Sequence, residues 1–344
     1  MSYMLDEIEQ QPQVIKNTIL KNTVKIRKIC NEIKKHNINF IIFAARGTSD
    51  NAATFGKYIF GYINGIPTGL AAPSLFTVYQ KKLKLKNSLV IAISQSGEST
   101  DVVEVIKQAK EQGAYCLAIT NKKNSSITKN AHSTLYCYAG NEKSIPATKT
   151  YTTQLALLYL LSFTLADKKS ELEKINEVPK KMREILLLQK NILKEINNYK
   201  FINECLVLGR GLNYATALET ALKIKETSYI KAEAMSGADF MHGPIAIIDK
   251  NFPVLLFAPH DETLKSMVDI ARKLEDRQAD RIIISSEDSI LEYANFPIKM
   301  PKFDVIFTPL LYTVIGQIFA YYLSIIKGFN PDKPRSLSKI TETM

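Results

Sequence analysis

Apolar residues recur at helical spacing over residues 5–36, Val24, Ile29 and Ile33 among them, with lysines filling many other positions, which predicts a helix. INFIIFAARGTSDN then runs from a strand at 38–44 through a Gly-Thr-Ser turn into a second helix. SLVIAISQSGESTDVVEVIKQAKEQG repeats the design, with a strand at 88–94, a polar turn, and a helix over about 100–112 stopped by Gly113. AYCLAIT (114–120) and STLYCYA (133–139) read as further strands. Strands alternating with helices at this rhythm predict the α/β class, with a parallel, doubly wound sheet. Helical stretches follow at about 150–167 and 170–198, and the lysine-rich 178–198 segment is the best boundary candidate.

Beyond that segment the pattern restarts. CLVLGRGLNYATALE (205–219) mirrors IIFAARGTSDNAATF, and PVLLFAPHDET (253–263) mirrors LVIAISQSGES. Gly47 to Gly211 and Ser94 to Ala258 both span 164 positions, and two matches at one offset indicate a duplication. The halves differ where chemistry is expected. The first carries Ser94-Gln95-Ser96-Gly97-Glu98-Ser99, whereas the second has Ala258-Pro259-His260-Asp261-Glu262-Thr263 and has lost the hydroxyls.

A length of 344 residues suits two domains of this kind, and 46% apolar with 23% charged residues excludes disorder and disulfide-built scaffolds. Cys30, Cys116, Cys137 and Cys205 are scattered without a CxxC pair, which argues against a zinc ribbon or a redox motif and for buried free thiols. The polar, acidic N-terminus is unlike a signal peptide. No apolar run is expected to reach the roughly 18–20 residues that cross a bilayer. A cytoplasmic location, no membrane contact and no nucleic-acid partner are the expectations. The formal charge of +11 and the stripe KIRKICNEIKK are compatible with nucleic acid but read more simply as a solvated helix face.

In an open parallel sheet, ligands bind where strands end and helices begin, and a helix N-terminus offers unpaired N–H groups to an anion. Ser94, Ser96 and Ser99 with Gly97, and Thr48 and Ser49 one unit earlier, describe a phosphate cradle of neutral donors. The alternative is a capped helix behind an ordinary polar turn. Neither GxxxxGK[ST] nor GxGxxG occurs, which disfavours nucleotide cofactors. Lys223 and Glu226, spaced i, i+3, share a helix face and could equally be a surface ion pair. His242 in MHGP, one of four histidines, could be structural or catalytic. The tail GFNPDKPRSLSKITETM has Pro331, Pro334 and Arg335, which is unusual for a frayed terminus. His132 and His260 are assigned no role.

RGTS (46–49), SQSGES (94–99), ATKTYTTQ (147–154), LGRG (208–211), ALKIKETSYIKAEA (221–234), HGP (242–244) and DKPRSLSK (332–339) occur in order. With these motifs the chain, from about residue 38 to 343, resembles the isomerase half of glucosamine-6-phosphate synthase, two sugar isomerase (SIS) domains in tandem. The resemblance implies two three-layer α/β/α SIS domains. It divides the chain into an N-terminal helical segment (1–37), a phosphate-binding first domain (38–195), a second domain carrying Glu and His (196–328), and a tail (329–344) closing the active site. The synthase also has an N-terminal glutaminase domain, which has no counterpart here. Glutamine-dependent synthesis is therefore not expected.

The resemblance further implies an enzyme of the stand-alone type, an aldose–ketose phosphosugar isomerase or glucosamine-6-phosphate deaminase. Fructosamine-6-phosphate deglycase is the allied alternative, and a non-catalytic sugar-phosphate sensor the alternative of another class. Thr48, Ser49, Ser94, Gln95, Ser96 and Ser99 would hold the sugar phosphate. Glu226 would shuttle a proton between C1 and C2, His242 would open the ring, Lys339 would form a Schiff base with the ketose, and Lys223 would support the same site. No cofactor and no metal are implied. A homodimer with His242 serving the neighbouring subunit is. Ala238-Asp239 and Met241 stand where the synthase has a Gly-Glu pair and a basic residue, and Pro146 replaces a small residue, so the identity of the sugar stays open.

Overall fold

Two sheets of five parallel strands carry the chain, and both have the same strand order. β1 (Phe40–Ala44), β2 (Thr68–Leu70), β3 (Ser88–Ile93), β4 (Tyr115–Thr120) and β5 (Ser133–Tyr136) are ordered β2-β1-β3-β4-β5. β6 (Glu204–Gly209), β7 (Lys231–Ser236), β8 (Pro253–Phe257), β9 (Asp280–Ser285) and β10 (Phe296–Lys299) are ordered β7-β6-β8-β9-β10. Each strand of the second sheet thus takes the place of its counterpart in the first, and the duplication read from two short matches extends to the whole topology. The computed structural model describes residues 2–339.

The chain enters through α1 (Tyr3–Glu9) and α2 (Gln11–Lys34), where one continuous helix was expected. Pro12 accounts for the break. It has no N–H to donate and would clash with a carbonyl one turn back, so it is accommodated in the first turn of a new helix. α3 (Thr48–Asn64), α4 (Pro73–Thr77), α5 (Thr100–Glu111), α6 (Ser126–Asn130), α7 (Lys149–Leu165) and α8 (Lys169–Lys174) complete the first half. The single stretch expected over 170–198 is likewise divided, into α8, α9 (Val178–Leu186) and α10 (Gln189–Glu195), with Pro179 in the first turn of α9. The second half contains α11 (Tyr214–Ser228), α12 (Gly237–Met241), α13 (Leu264–Asp276), α14 (Asp288–Leu291) and α15 (Thr308–Ile326).

The chain forms two compact units. The first comprises Gln10–Glu142, Ala147–Glu177 and the tail from Ser336; the second comprises the segment ending at Glu9, Lys143–Pro146 and Val178–Arg335. In the first, β3 and β4 are buried along their whole length, so continuous apolar runs such as SLVIAI are what a strand covered on both faces requires. Alternate residues face opposite layers: Ala44, Val90 and Ala92 pack with Val102, Val105 and Ile106 of α5, while Phe43 meets Phe60 of α3. In the second unit, Leu206, Val254 and Leu256 pack against Met267, Ile270 and Leu274 of α13. α11 and α15 pack against each other so closely that a Cβ on Gly316 would stand 2.0 Å from Thr220 Oγ1.

Val305–Ile326 is long and apolar enough to cross a bilayer, which corrects the expectation that no run reaches that length. Its most apolar stretch is 83% buried, and it serves as the core helix of the second unit. All four cysteines are buried free thiols, and burial pushes each up to about 12. α1 belongs to the second unit, where Asp332 caps it: Oδ1 accepts from Ser2 Oγ at 2.9 Å and Met4 N at 2.7 Å, and Oδ2 accepts from Tyr3 N at 2.9 Å.

Candidate functional site

At the carboxyl edge of the first sheet, β1 turns through Gly47, at φ +55°, into α3, so Thr48 and Ser49 form the first turn of that helix. On the adjacent strand, β3 leads through Ser94–Ser99 into α5. Ser94 Oγ accepts from Gly97 N at 3.0 Å and lies 3.2 Å from Ser99 Oγ, while Ser96 Oγ accepts from Glu98 N at 3.3 Å. Gly97 has φ +69°, and a Cβ there would stand 2.1 Å from Ser125 Oγ, so both backbone and space require glycine. The carbonyl of Gln95 accepts from Asn121 N and Thr120 Oγ1, each at 3.2 Å, which ties the turn to the end of β4. The Glu98 carboxylate accepts from Ser126 Oγ and pairs with Lys122, and these contacts hold it below the usual carboxylate range.

Sequence reasoning did not single out the residues that brace this edge. Arg46 Nε and Nη2 both donate to Asp101 Oδ2, at 2.9 and 2.5 Å, across the N-termini of α3 and α5. Buried Gln154 of α7 donates to Ser49 Oγ at 3.1 Å. One turn earlier, buried Glu142 closes the N-terminus of α7: Oε1 accepts from Thr148 N and Thr150 N at 3.0 and 3.1 Å, and Oε2 from Thr150 Oγ1 at 2.6 Å. Lys339 of the tail brings Nζ to 3.2 Å from Glu142 Oε2. The first unit therefore holds all six hydroxyl-turn candidates and the tail lysine. The last tail residues, 340–344, lie outside the described ones.

The second unit holds the other three candidates. On α11, Lys223 is wholly buried, hydrogen-bonded to Glu226 Oε2 and 3.6 Å from Glu219 Oε1. Glu219 is buried too, whereas the Glu226 side chain keeps 22% of its surface. The pair is thus not the solvated surface contact that its spacing allowed. Glu219 lies four residues before Lys223 on the same face, a spacing that the sequence itself displays. His242 is exposed at the end of α12, where its N–H donates to Asp239 O at 3.0 Å, before Gly243 at φ +131°. His260 is a surface residue 3.5 Å from Glu287. His132 Nδ1 accepts from Cys116 N at 3.0 Å, a structural contact.

The fold has close counterparts among known proteins. The SIS domain family model matches residues 36–163 and again 202–327. A glutamine–fructose-6-phosphate aminotransferase (isomerizing) of Thermococcus kodakarensis is 37% identical over 346 residues, 98% of this chain and 57% of that protein. The chain thus spans a little over half of that relative. The C-terminal domain of glucosamine-fructose-6-phosphate aminotransferase from Francisella tularensis superimposes with a TM-score of 0.86 at 28% identity, covering 97% of this chain and 98% of that one. A putative phosphosugar isomerase from Silicibacter pomeroyi gives 0.87 at 26% identity, covering 96% and 100%.

Proposed function

Since the chain belongs to the SIS domain family, with two copies of the domain in tandem, we propose that it is an aldose–ketose isomerase of amino-sugar phosphates. Its reaction is glucosamine 6-phosphate plus water to fructose 6-phosphate plus ammonia. The observation that carries this reading is the buried Lys223 bonded to the partly exposed Glu226, with Glu219 behind it. A carboxylate that keeps an open face while a buried ammonium fixes its other side is suited to carry one proton between two adjacent carbons.

Glu226 removes the proton from C2 of the open-chain aldose, giving an enolamine, and returns it to C1. The product is the imine of fructose 6-phosphate, which carries the nitrogen at C2. Lys223 orients the carboxylate and balances its charge. The phosphate is held by the hydroxyls and N–H groups of Thr48, Ser49, Ser94, Gln95, Ser96 and Ser99, and this remote binding energy positions the reacting end. Lys339, as a neutral amine once it has left Glu142, adds to C2 of that imine and expels ammonia, and water hydrolyses the resulting Schiff base to the ketose and the free lysine. His242 opens the sugar ring in the site of a second copy of the chain, so the active form is a homodimer.

The test is incubation of the full chain with glucosamine 6-phosphate, with ammonia and fructose 6-phosphate measured in parallel. Equal release of both, abolished by Glu226→Gln, is expected. Release of an amino acid from a fructosamine 6-phosphate, with glucosamine 6-phosphate inert, would replace this reading with the deglycase. Turnover that survives Glu226→Gln would remove Glu226 from the proton transfer.

A further inference from the structure

The two helices that begin at the phosphate cradle each carry a carboxylate in the first turn, Asp50 on α3 and Asp101 on α5. An acid there is favourable to an isolated helix, since it faces the positive end of the macrodipole. Beside a bound phosphate dianion it is unfavourable, because like charges then share one helix terminus. Asp101 is the sharper case: its side chain keeps only 4% of its surface, so water screens it poorly.

Arg46 meets this conflict. It is the residue immediately before Gly47, and it directs two nitrogens onto the same oxygen of Asp101. Its own side chain keeps 48% of its surface, so the guanidinium is open to solvent on the side away from the carboxylate. Asp50 also feels it: burial pushes that carboxyl up, and the nearby Arg46 charge partly opposes the shift. Glu98, the remaining acid of the turn, has its own partners in Lys122 and Ser126.

Resting on the phosphate-site reading above, we propose that Arg46 is a positioning residue for the sugar phosphate. By pairing Asp101 it cancels a carboxylate that would repel the dianion. The hydroxyls and N–H groups make the contacts with phosphate, and Arg46 offsets the Asp101 charge beside them. An otherwise neutral cradle can then take a double negative charge.

The test is a double-mutant cycle on the full chain, with Arg46→Gln, Asp101→Asn and the two together. Titration calorimetry with the non-isomerising analogue glucitol 6-phosphate supplies the readout. Arg46→Gln should weaken binding roughly tenfold, the scale of one uncompensated like-charge contact. Adding Asp101→Asn to it should restore most of the loss, because the repelling charge is gone. Asp101→Asn alone should bind more tightly than the parent, which keeps the test decisive if Arg46→Gln does not fold. Parent-like binding by Arg46→Gln, no recovery in the double variant, or weaker binding by Asp101→Asn would each overturn the role of Arg46. Absence of binding by the parent chain would instead overturn the phosphate site itself, and the role of Arg46 with it.

Discussion

Lys339 Nζ lies 3.2 Å from Glu142 Oε2, so a tail residue is held by a carboxylate almost 200 positions earlier in the chain. That carboxylate also accepts three hydrogen bonds from the first residues of α7 and has no surface of its own. It is therefore both the cap of a helix and the anchor of a tail.

Two substitutions separate those functions. Glu142→Gln keeps a carbonyl oxygen for Thr148 N and Thr150 N but removes the charge that Lys339 faces. It should leave thermal stability nearly unchanged while trypsin cuts after Lys339 more quickly. Glu142→Ala removes the cap as well and should cost about 1–2 kcal/mol, the range measured for lost helix caps. Denaturant unfolding and timed proteolysis check both. Equal proteolysis of the parent and Glu142→Gln would show that the ion pair does not hold the tail.

Lys223 and its two carboxylates predict a different split between stability and turnover. Glu226→Gln keeps a hydrogen-bonding partner for the ammonium at a partly exposed position, so the fold should persist. Activity should nevertheless fall by about 10²–10⁴-fold, the usual weight of a general base. Lys223→Met withdraws the cation from beside buried Glu219 and should destabilise the second unit by about 3–5 kcal/mol. Kinetics on glucosamine 6-phosphate and chemical denaturation distinguish the two. A Lys223→Met chain as stable as the parent would mean that Glu219 is satisfied without it.

The same elements show how far the sequence could be read. β1, β3, β4, β6 and β8 are central strands covered on both faces, and continuous apolar runs announce them. β2 is three residues long, and β7 exposes Lys231 and Glu233; both lie at sheet edges, where burial no longer imposes an apolar pattern. Ser94–Ser99 and α11 could be found locally because their chemistry lies within one turn and one helix. Glu142, Arg46 and Gln154 could not, because each acquires meaning from a partner 55 to 197 positions away. The packing of α1 with the second unit and of the tail with the first is long-range in the same way, and no spacing rule reaches it.

The buried thiols set an alkaline limit. Cys30, Cys116, Cys137 and Cys205 are held at about 12 by burial, against an ordinary value of 9.0. Below pH 9 both folded and unfolded chains keep these protons, and the thiols leave stability independent of pH. Between 9 and 12 the unfolded chain releases protons that the folded chain retains, so stability falls as pH rises, by up to about 1.4 kcal/mol per thiol per pH unit. Denaturation midpoints measured from pH 8 to 10.5 should drop, and Cys→Ala or Cys→Ser changes at Cys137 and Cys205 should flatten the drop. At pH 8 a thiol reagent should label none of the four until the chain is unfolded. Rapid labelling of the native protein would show that these sites open locally.

Exposed His242 and partly buried Glu226 lie in the same unit, and the proposed dimer assigns them to different active sites. Subunit mixing tests this directly. His242→Ala and Glu226→Gln chains should each be nearly inactive alone. If ring opening and proton transfer at one site come from two chains, a mixed dimer regains one complete site and leaves the other doubly defective. Random exchange of equal amounts puts half of the dimers in the mixed form, each with half the parent's sites, so recovery should approach a quarter of parental activity. Carrying both substitutions in one chain and mixing it with the parent gives the converse control: both sites of each mixed dimer then lose one group, and exchange should add nothing to the activity of the remaining parental dimers. Activity of the second mixture that stays at half the parent's instead of falling to a quarter, with no recovery in the first, would place His242 and Glu226 at one site within one chain.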